Sequence, residues 1–359
     1  MFDHKQYVPI LKWKRGELRA LEDVENSVRQ HVTPLFEMQP LNDKTTLESV
    51  FAELVPGISR AWKTNKPVFV DFSELEGSLS SSPNATQHLT QAYNDSMAES
   101  IGIIPVITSQ TPQTLLSDYL ASGLVSRYGI AVRFSYSDFK NATVNNLLAS
   151  LVNHHAILSG RIDVLIDLKY VDPSMNSLSL DALRVSVKNM INSISSIASY
   201  RTLTLCATSY PSDLRTYIKT GNSEVLIPRE DWNVFIDILS KPGEYHRLPA
   251  FGDYNISNPE FLDFKPWYDI SGKIRYTTKS HIYVIKGKST KSNGFGQMRD
   301  LCRVLVNKPF YVMDHCWGSR YIHECSINPS PKGNGNSETW VKVGVNHHLT
   351  LVSEQISAL

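Results

Sequence analysis

Through the first two-thirds of the chain one pattern recurs. A short run of apolar, mostly β-branched or aromatic residues ends in a polar cluster, an amphipathic stretch follows, and the run returns. The runs are Tyr7–Trp13, Val32–Met38, Pro67–Phe72, Ile103–Thr108, Gly129–Phe134, Ile162–Leu168, Leu203–Thr208 and Arg247–Gly252. Near-continuous apolar runs of this length suit strands buried on both faces, as in a parallel sheet. Between them, Glu17–Val24, Leu47–Leu54, Val144–Leu151 and Leu180–Ile194 space their apolar residues three and four apart, which predicts helices. Ser179, just before the last of these, reads as a helix start, and Thr111-Pro112 as a cap followed by proline at the first helical position.

Eight strand–helix alternations before residue 257 match the roughly 250 residues of an eight-stranded α/β barrel. The expected fold class is α/β, a (β/α)8 TIM-like barrel over residues 1–256 with a smaller C-terminal α+β extension over 257–359 packed on it. An open doubly wound sheet would want a Gly-rich turn after its first strand, and Lys12-Trp13-Lys14-Arg15-Gly16-Glu17 is not one. Pro9, Pro34, Pro67, Pro105 and Pro249 sit awkwardly, because proline removes a ladder donor. In the extension, 273–278 and 281–286 read as strands, 287–296 as a loop and 298–305 as a short helix. The stretch 329–337 reads as a mobile Pro/Gly/Asn-rich loop, and 340–351 as a last strand before a helical tail.

The opening Tyr7-Val8-Pro9-Ile10-Leu11-Lys12-Trp13-Lys14-Arg15-Gly16-Glu17, followed by Val32-Thr33-Pro34-Leu35-Phe36-Glu37, resembles the beta protein family of phages, satellite phages and bacterial mobile elements. Members have about this length. The resemblance implies a mobile genetic element as the setting, beside toxin-like or repressor genes in cassettes associated with anti-phage defence. It implies a partner protein from the same cassette and a protein–protein interaction. It brings no reaction and no catalytic residues.

Charge changes the picture little. Lys+Arg 36 against Asp+Glu 35 gives a net charge of +1, which argues against a general nucleic-acid or membrane binder. No apolar stretch reaches the ~18 residues of a membrane helix, no secretory signal opens the chain, and four cysteines make no disulfide scaffold. A cytoplasmic protein is expected, with Cys206 as a small buried hydrophobe.

Candidate chemistry follows from the barrel rule that functional groups project from the C-terminal ends of the strands. Those ends carry Lys12, Glu37, Asp71, Arg133, Asp167 and Lys169, with Asp253 at the end of the eighth run. Alternation puts Asp167 and Lys169 on one face. Pointed inward, the cations Lys12, Arg133 and Lys169 would meet Glu37, Asp71, Asp167 and Asp253 at the mouth.

Two arrangements compete there: a charge-balanced plug, or a catalytic pocket. In the pocket, carboxylates could hold Mg²⁺ while cations hold a nucleotide or another small phosphorylated ligand. A Schiff base on Lys169 ranks lower, because Asp167 would keep the amine protonated. A carboxylate pair could also work on a glycosidic bond. No cofactor is identified by the residues. Four potential metal ligands occur in His315-Cys316 and His323-x-Cys325, at a spacing unlike a zinc knuckle. His154-His155 and His347-His348 read as surface pairs, and Gly294-Phe295-Gly296 as a plain turn. Arg275, Lys279, Lys286, Lys288 and Lys291, with Tyr276 and Tyr283, make the extension locally basic; solvated surface is favoured there over nucleic-acid contact. Pro228–Trp232 either covers the mouth or begins a helix.

Overall fold

The computed structural model describes residues 3–260, 268–327 and 331–359. Pro329 and Ser330, which open the predicted Pro/Gly/Asn-rich loop, lie outside the described residues.

Eight strands close into a parallel barrel: β1 (Tyr7–Lys12), β2 (Leu35–Glu37), β3 (Val68–Asp71), β4 (Ile103–Thr108), β5 (Ile130–Ser135), β6 (Ile162–Tyr170), β7 (Thr202–Thr208) and, after the excursion of β8 (Ser223–Pro228), β9 (Ala250–Asp253). β9 pairs with both β7 and β1, which seals the ring. The strands are apolar on both faces, as a parallel sheet wrapped by helices requires. One set of side chains, Val8, Ile10, Leu35, Phe69, Ile104, Val106, Ala131, Leu165, Cys206 and Ala250, fills the interior. The alternate set faces the helix layer, where Phe36, Val70, Val132, Ile166 and Phe251 join the largest apolar cluster. The five prolines of the barrel runs find mostly permissive places: Pro34, Pro67 and Pro249 directly precede β2, β3 and β9, and of the five, Pro9 and Pro105 fall inside strands. Gly252 marks the tightest interior position, since a Cβ there would stand 2.7 Å from Cys206 Sγ and 3.0 Å from the Val8 carbonyl oxygen.

The predicted helices form at Arg15–Glu22, Leu47–Trp62, Thr143–Asn153 and Ser177–Ser193. Two cap assignments change. Asn176, not Ser179, caps the helix Ser177–Ser193, with its side chain accepting from Ser179 N. The helix after β4 spans Gln113–Ala121 and leaves Pro112 at the cap, with Thr111 Oγ1 accepting from Thr108 N instead of capping.

The strand missing from the sequence reading is β8. It pairs antiparallel with β11 (His281–Ser289), which pairs with β10 (Ser271–Thr277), giving a second sheet in the order β10-β11-β8. A segment from inside residues 1–256 thus completes the sheet of 257–359. Pro228 ends β8 and Glu230–Ser240 is a helix, so Pro228–Trp232 begins a helix. One face of this sheet, Ile274, Tyr276, Tyr283 and Ile285, packs on the helices Met298–Val306 and Trp317–Ser326.

The expected last strand over 340–351 is wrong. Residues Ser337–Ser357 form one helix, opened by a capping box between Asn336 and Thr339. Its run of apolar and β-branched residues reads locally as strand. The helix is buried on most of its circumference because it lies against the helix Arg15–Glu22, β10 and the helix Trp317–Ser326 at once. His347 and His348 on it are buried, not surface residues. Among the described residues no helix is long and apolar enough to cross a membrane.

Candidate functional site at the barrel mouth

Register sets the site. Lys12, Glu37 and Asp71 are lateral partners across β1, β2 and β3, so their side chains point to one side of the sheet, the interior. Arg133 stands two residues beyond the interior Ala131, and Asp167 two beyond the interior Leu165. The inward carboxylates close on a single guanidinium. Arg133 Nη1 donates to Glu37 Oε1 at 3.1 Å and to Asp71 Oδ2 at 2.5 Å; Nε donates to Asp167 Oδ2 at 3.0 Å. Arg133 Nη2 lies 2.8 Å from the same Asp167 oxygen and also donates to Tyr254 Oη. The Tyr254 hydroxyl in turn donates to Asp167 Oδ2 at 2.7 Å. Sequence reasoning missed Tyr254. Its signal was the phase of the last barrel strand, in which Ala250, Gly252 and Tyr254 alternate inward.

The cluster is dry. The Arg133 side chain is 10% exposed, and those of Glu37, Asp71 and Asp167 are 7%, 0% and 2% exposed. Charges so buried persist only when paired. Burial by itself pulls the Arg133 guanidinium down, yet Tyr254, Asp167, Asp71 and Glu37 together outweigh it and hold its pKa well above the ordinary value. Glu37 is the loose member. Burial raises its pKa against the pull of Arg133, and its Oε2 has no hydrogen-bond partner. Asp71 is otherwise satisfied by Ser73, whose backbone N–H donates to Oδ1 at 2.9 Å.

Lys12 reaches the rim, where its Nζ donates to the Glu260 carbonyl at 2.6 Å, and burial lowers its pKa. The chain after β9 therefore runs along the rim between the ends of its two neighbouring strands. It is tied down there by Thr208 Oγ1 donating to Ser257 O and by Asn258 Nδ2 donating to Tyr210 O.

Two expected members do not join. The alternation that would align Lys169 with Asp167 is broken by an irregularity in the β6–β7 register between Asp167 and Tyr170. Lys169 takes a left-handed conformation (φ 58°) and is exposed, and it is its backbone N–H that donates to Asp167 Oδ1. Asp253 points outward, because Gly252 and Tyr254 occupy the inward phase. It accepts from Tyr7 Oη at 2.6 Å and from Asn255 N at 3.0 Å, and its Oδ2 lies 2.7 Å from His348 Nε2 on the C-terminal helix. Burial opposes charge on Asp253, but His348 and Tyr7 outweigh it and hold its pKa below the usual value.

A family model described as Beta protein matches residues 7–354, nearly the whole chain. The chain belongs to that family. In this Beta protein family member the match runs through both the barrel and the second sheet. A triosephosphate isomerase from Bartonella henselae is similar in structure at 11% identity and a TM-score of 0.33, covering 69% of this chain and 92% of its own. A search of curated proteins finds no match.

Proposed function

We propose that this Beta protein family member is a mobile-element accessory protein in an anti-phage or toxin–antitoxin-like cassette. It acts by binding a partner protein encoded beside it and not by turning over a ligand at the barrel mouth. The observation that carries this reading is the plug: at the place where barrel enzymes keep an open site, one guanidinium is locked among three buried carboxylates. Family membership supports the setting. A docking mode is supported by β8, an outer strand paired on one side only among the described residues, with Leu226 48% exposed along it. Such an edge can accept an added strand.

One observation favours the alternative, a barrel enzyme on a nucleotide or phosphoester. Glu37 keeps a buried, unpartnered oxygen and a raised pKa, a pattern enriched at catalytic sites. The two readings separate in a phage-plating assay with the neighbouring gene present and thermal melting as the folding control. Partner binding predicts that Leu226→Glu loses both protection and copurification of the neighbouring gene product, while Glu37→Gln keeps both. A Glu37→Gln variant that melts normally, retains the partner and fails to protect overturns the reading in favour of the enzyme.

A further inference from the structure

A further buried polar centre shares no residue with the mouth and lies where the loop before the helix Trp317–Ser326 meets the helix Ser337–Ser357. Gly318 makes the approach possible: a Cβ there would stand 2.4 Å from the Val343 carbonyl oxygen. The contact brings Cys316, which caps the helix Trp317–Ser326, against His347. His315 closes the group: one nitrogen of each histidine and the Cys316 Sγ all lie within 4.8 Å of one another.

With a neutral His315, two bare ring nitrogens face each other at this centre with no proton between them. His347 Nε2 lies 2.7 Å from the Thr277 carbonyl oxygen, which can only accept, so Nε2 carries the proton and Nδ1 presents a bare lone pair. His315 Nε2 lies 2.7 Å from Glu354 Oε2, also an acceptor, which leaves the Nδ1 of a neutral His315 bare as well. The two Nδ1 atoms nevertheless face each other at 3.4 Å. Cys316 Sγ at 3.7 Å and Ser319 Oγ at 3.2 Å crowd the same His347 nitrogen, so three polar atoms converge on one lone pair in a residue only 2% exposed.

A tetrahedral zinc ion would resolve this. With Zn–N near 2.0–2.1 Å and Zn–S near 2.3 Å, tetrahedral geometry puts ligand nitrogens about 3.3 Å apart and nitrogen and sulfur about 3.6 Å apart. The 3.4 Å and 3.7 Å separations around His347 Nδ1 fit both. Each histidine already donates its far N–H to a carbonyl or a carboxylate, the outer partners that orient metal-binding imidazoles.

We propose that His315, Cys316 and His347 form a zinc site that clamps the loop before the helix Trp317–Ser326 to the C-terminal helix. The fourth position lies beside Ser319 Oγ. Binding releases the Cys316 thiol proton to solvent and leaves the thiolate and two neutral imidazoles on the ion. The ligand set differs from the one the sequence spacing suggested. His323 and Cys325 are not part of it: Cys325 lies nine residues along the helix, about 13 Å from Cys316 at 1.5 Å per residue, where it meets Cys302 instead.

The test uses the untagged full-length chain, stripped with a chelator and titrated with Co²⁺ and then Zn²⁺. The expected result is one Co²⁺ per chain, with tetrahedral d–d bands and a thiolate-to-cobalt charge-transfer band that Zn²⁺ abolishes. Cys316→Ser should lose the charge-transfer band. His315→Ala, at the more exposed edge of the group, should fold normally and bind at least tenfold more weakly. The double variant Cys302→Ser/Cys325→Ser should keep the band, because those thiols lie elsewhere. A natively folded wild-type chain that takes up no Co²⁺ overturns the proposal and leaves His315 as an imidazolium bridging His347 and Glu354. A charge-transfer band that survives Cys316→Ser, or His315→Ala binding as tightly as wild type, overturns it too.

Discussion

The barrel mouth and the seam beneath the C-terminal helix are both buried polar clusters, yet they are built by different rules. At the mouth the charged groups all project from barrel strands, Tyr254 directly follows β9, and alternation and register bring them together. At the seam, Asp253 gathers Tyr7 from 246 residues away and His348 from 95 residues away, while Thr277 Oγ1 bonds the other nitrogen of His348. The mouth is a charge cluster, with one guanidinium holding three carboxylates. The seam is a chain of mostly neutral donors and acceptors that fixes where a helix docks. The difference teaches that a buried polar group in this chain has one of two jobs, closing a barrel or keying two layers together, and that the outward phase of a strand serves the second.

The largest expected effect tests the mouth. Arg133→Met leaves Glu37, Asp71 and Asp167 facing one another with only Lys12 at the rim as counter-charge, and should cost about 3–5 kcal/mol of stability in urea unfolding. A loss under about 1 kcal/mol would mean that solvent reaches the carboxylates, and the contrast with the seam would fail. At the seam, Asp253→Ala strands the Tyr7 hydroxyl, the His348 ring N–H and the Asn255 amide. The expected cost is about 2–3 kcal/mol. It should come with faster hydrogen exchange in residues 337–357, whereas Arg133→Met should leave exchange there unchanged relative to its global stability.

Glu17 lies between the two regions, on the helix that packs against the C-terminal helix, and its carboxylate accepts from Lys12 N at 2.6 Å. Burial raises its pKa from the ordinary 4.5 to about 7. The raised value means that the folded state binds a proton the unfolded state has released, so this group's contribution to stability falls as pH rises through 4.5 to 7 and is constant above. Glu17→Gln removes that dependence. The stability of wild type relative to Glu17→Gln should therefore drop by about 3 kcal/mol between about pH 4 and about pH 8, read from paired urea midpoints. A pH-independent difference would show that the carboxyl is not buried in solution. The smallest effect is expected at Lys169. Exposed and displaced by the irregularity in β6, Lys169→Met should change stability by less than about 0.5 kcal/mol. A loss comparable to that at Arg133 would place its ammonium in the cluster after all.

The eight strands, their order and the inward set Lys12, Glu37, Asp71, Arg133 and Asp167 were legible because a period of two and a closed ring leave little freedom: once a run is long, apolar and parallel, its charged tip points in or out by parity. Parity also explains both failures at the mouth. One irregularity after Asp167 takes Lys169 out of phase, and one residue of phase in β9 exchanges Asp253 for Tyr254. Residues 340–351 misled for another reason. A helix buried on nearly every side loses the polar stripe by which helices are recognised, and its β-branched residues then resemble a strand.

The sequence by itself determined the barrel, because burial on both faces writes itself into every strand and needs no knowledge of distant partners. Tertiary structure alone decided that 223–228 leaves the barrel to complete the second sheet and that His315, Cys316 and His347 converge. Those outcomes depend on contacts between segments far apart in the chain, and no local pattern of hydrophobic and polar residues encodes which distant surface a segment will meet.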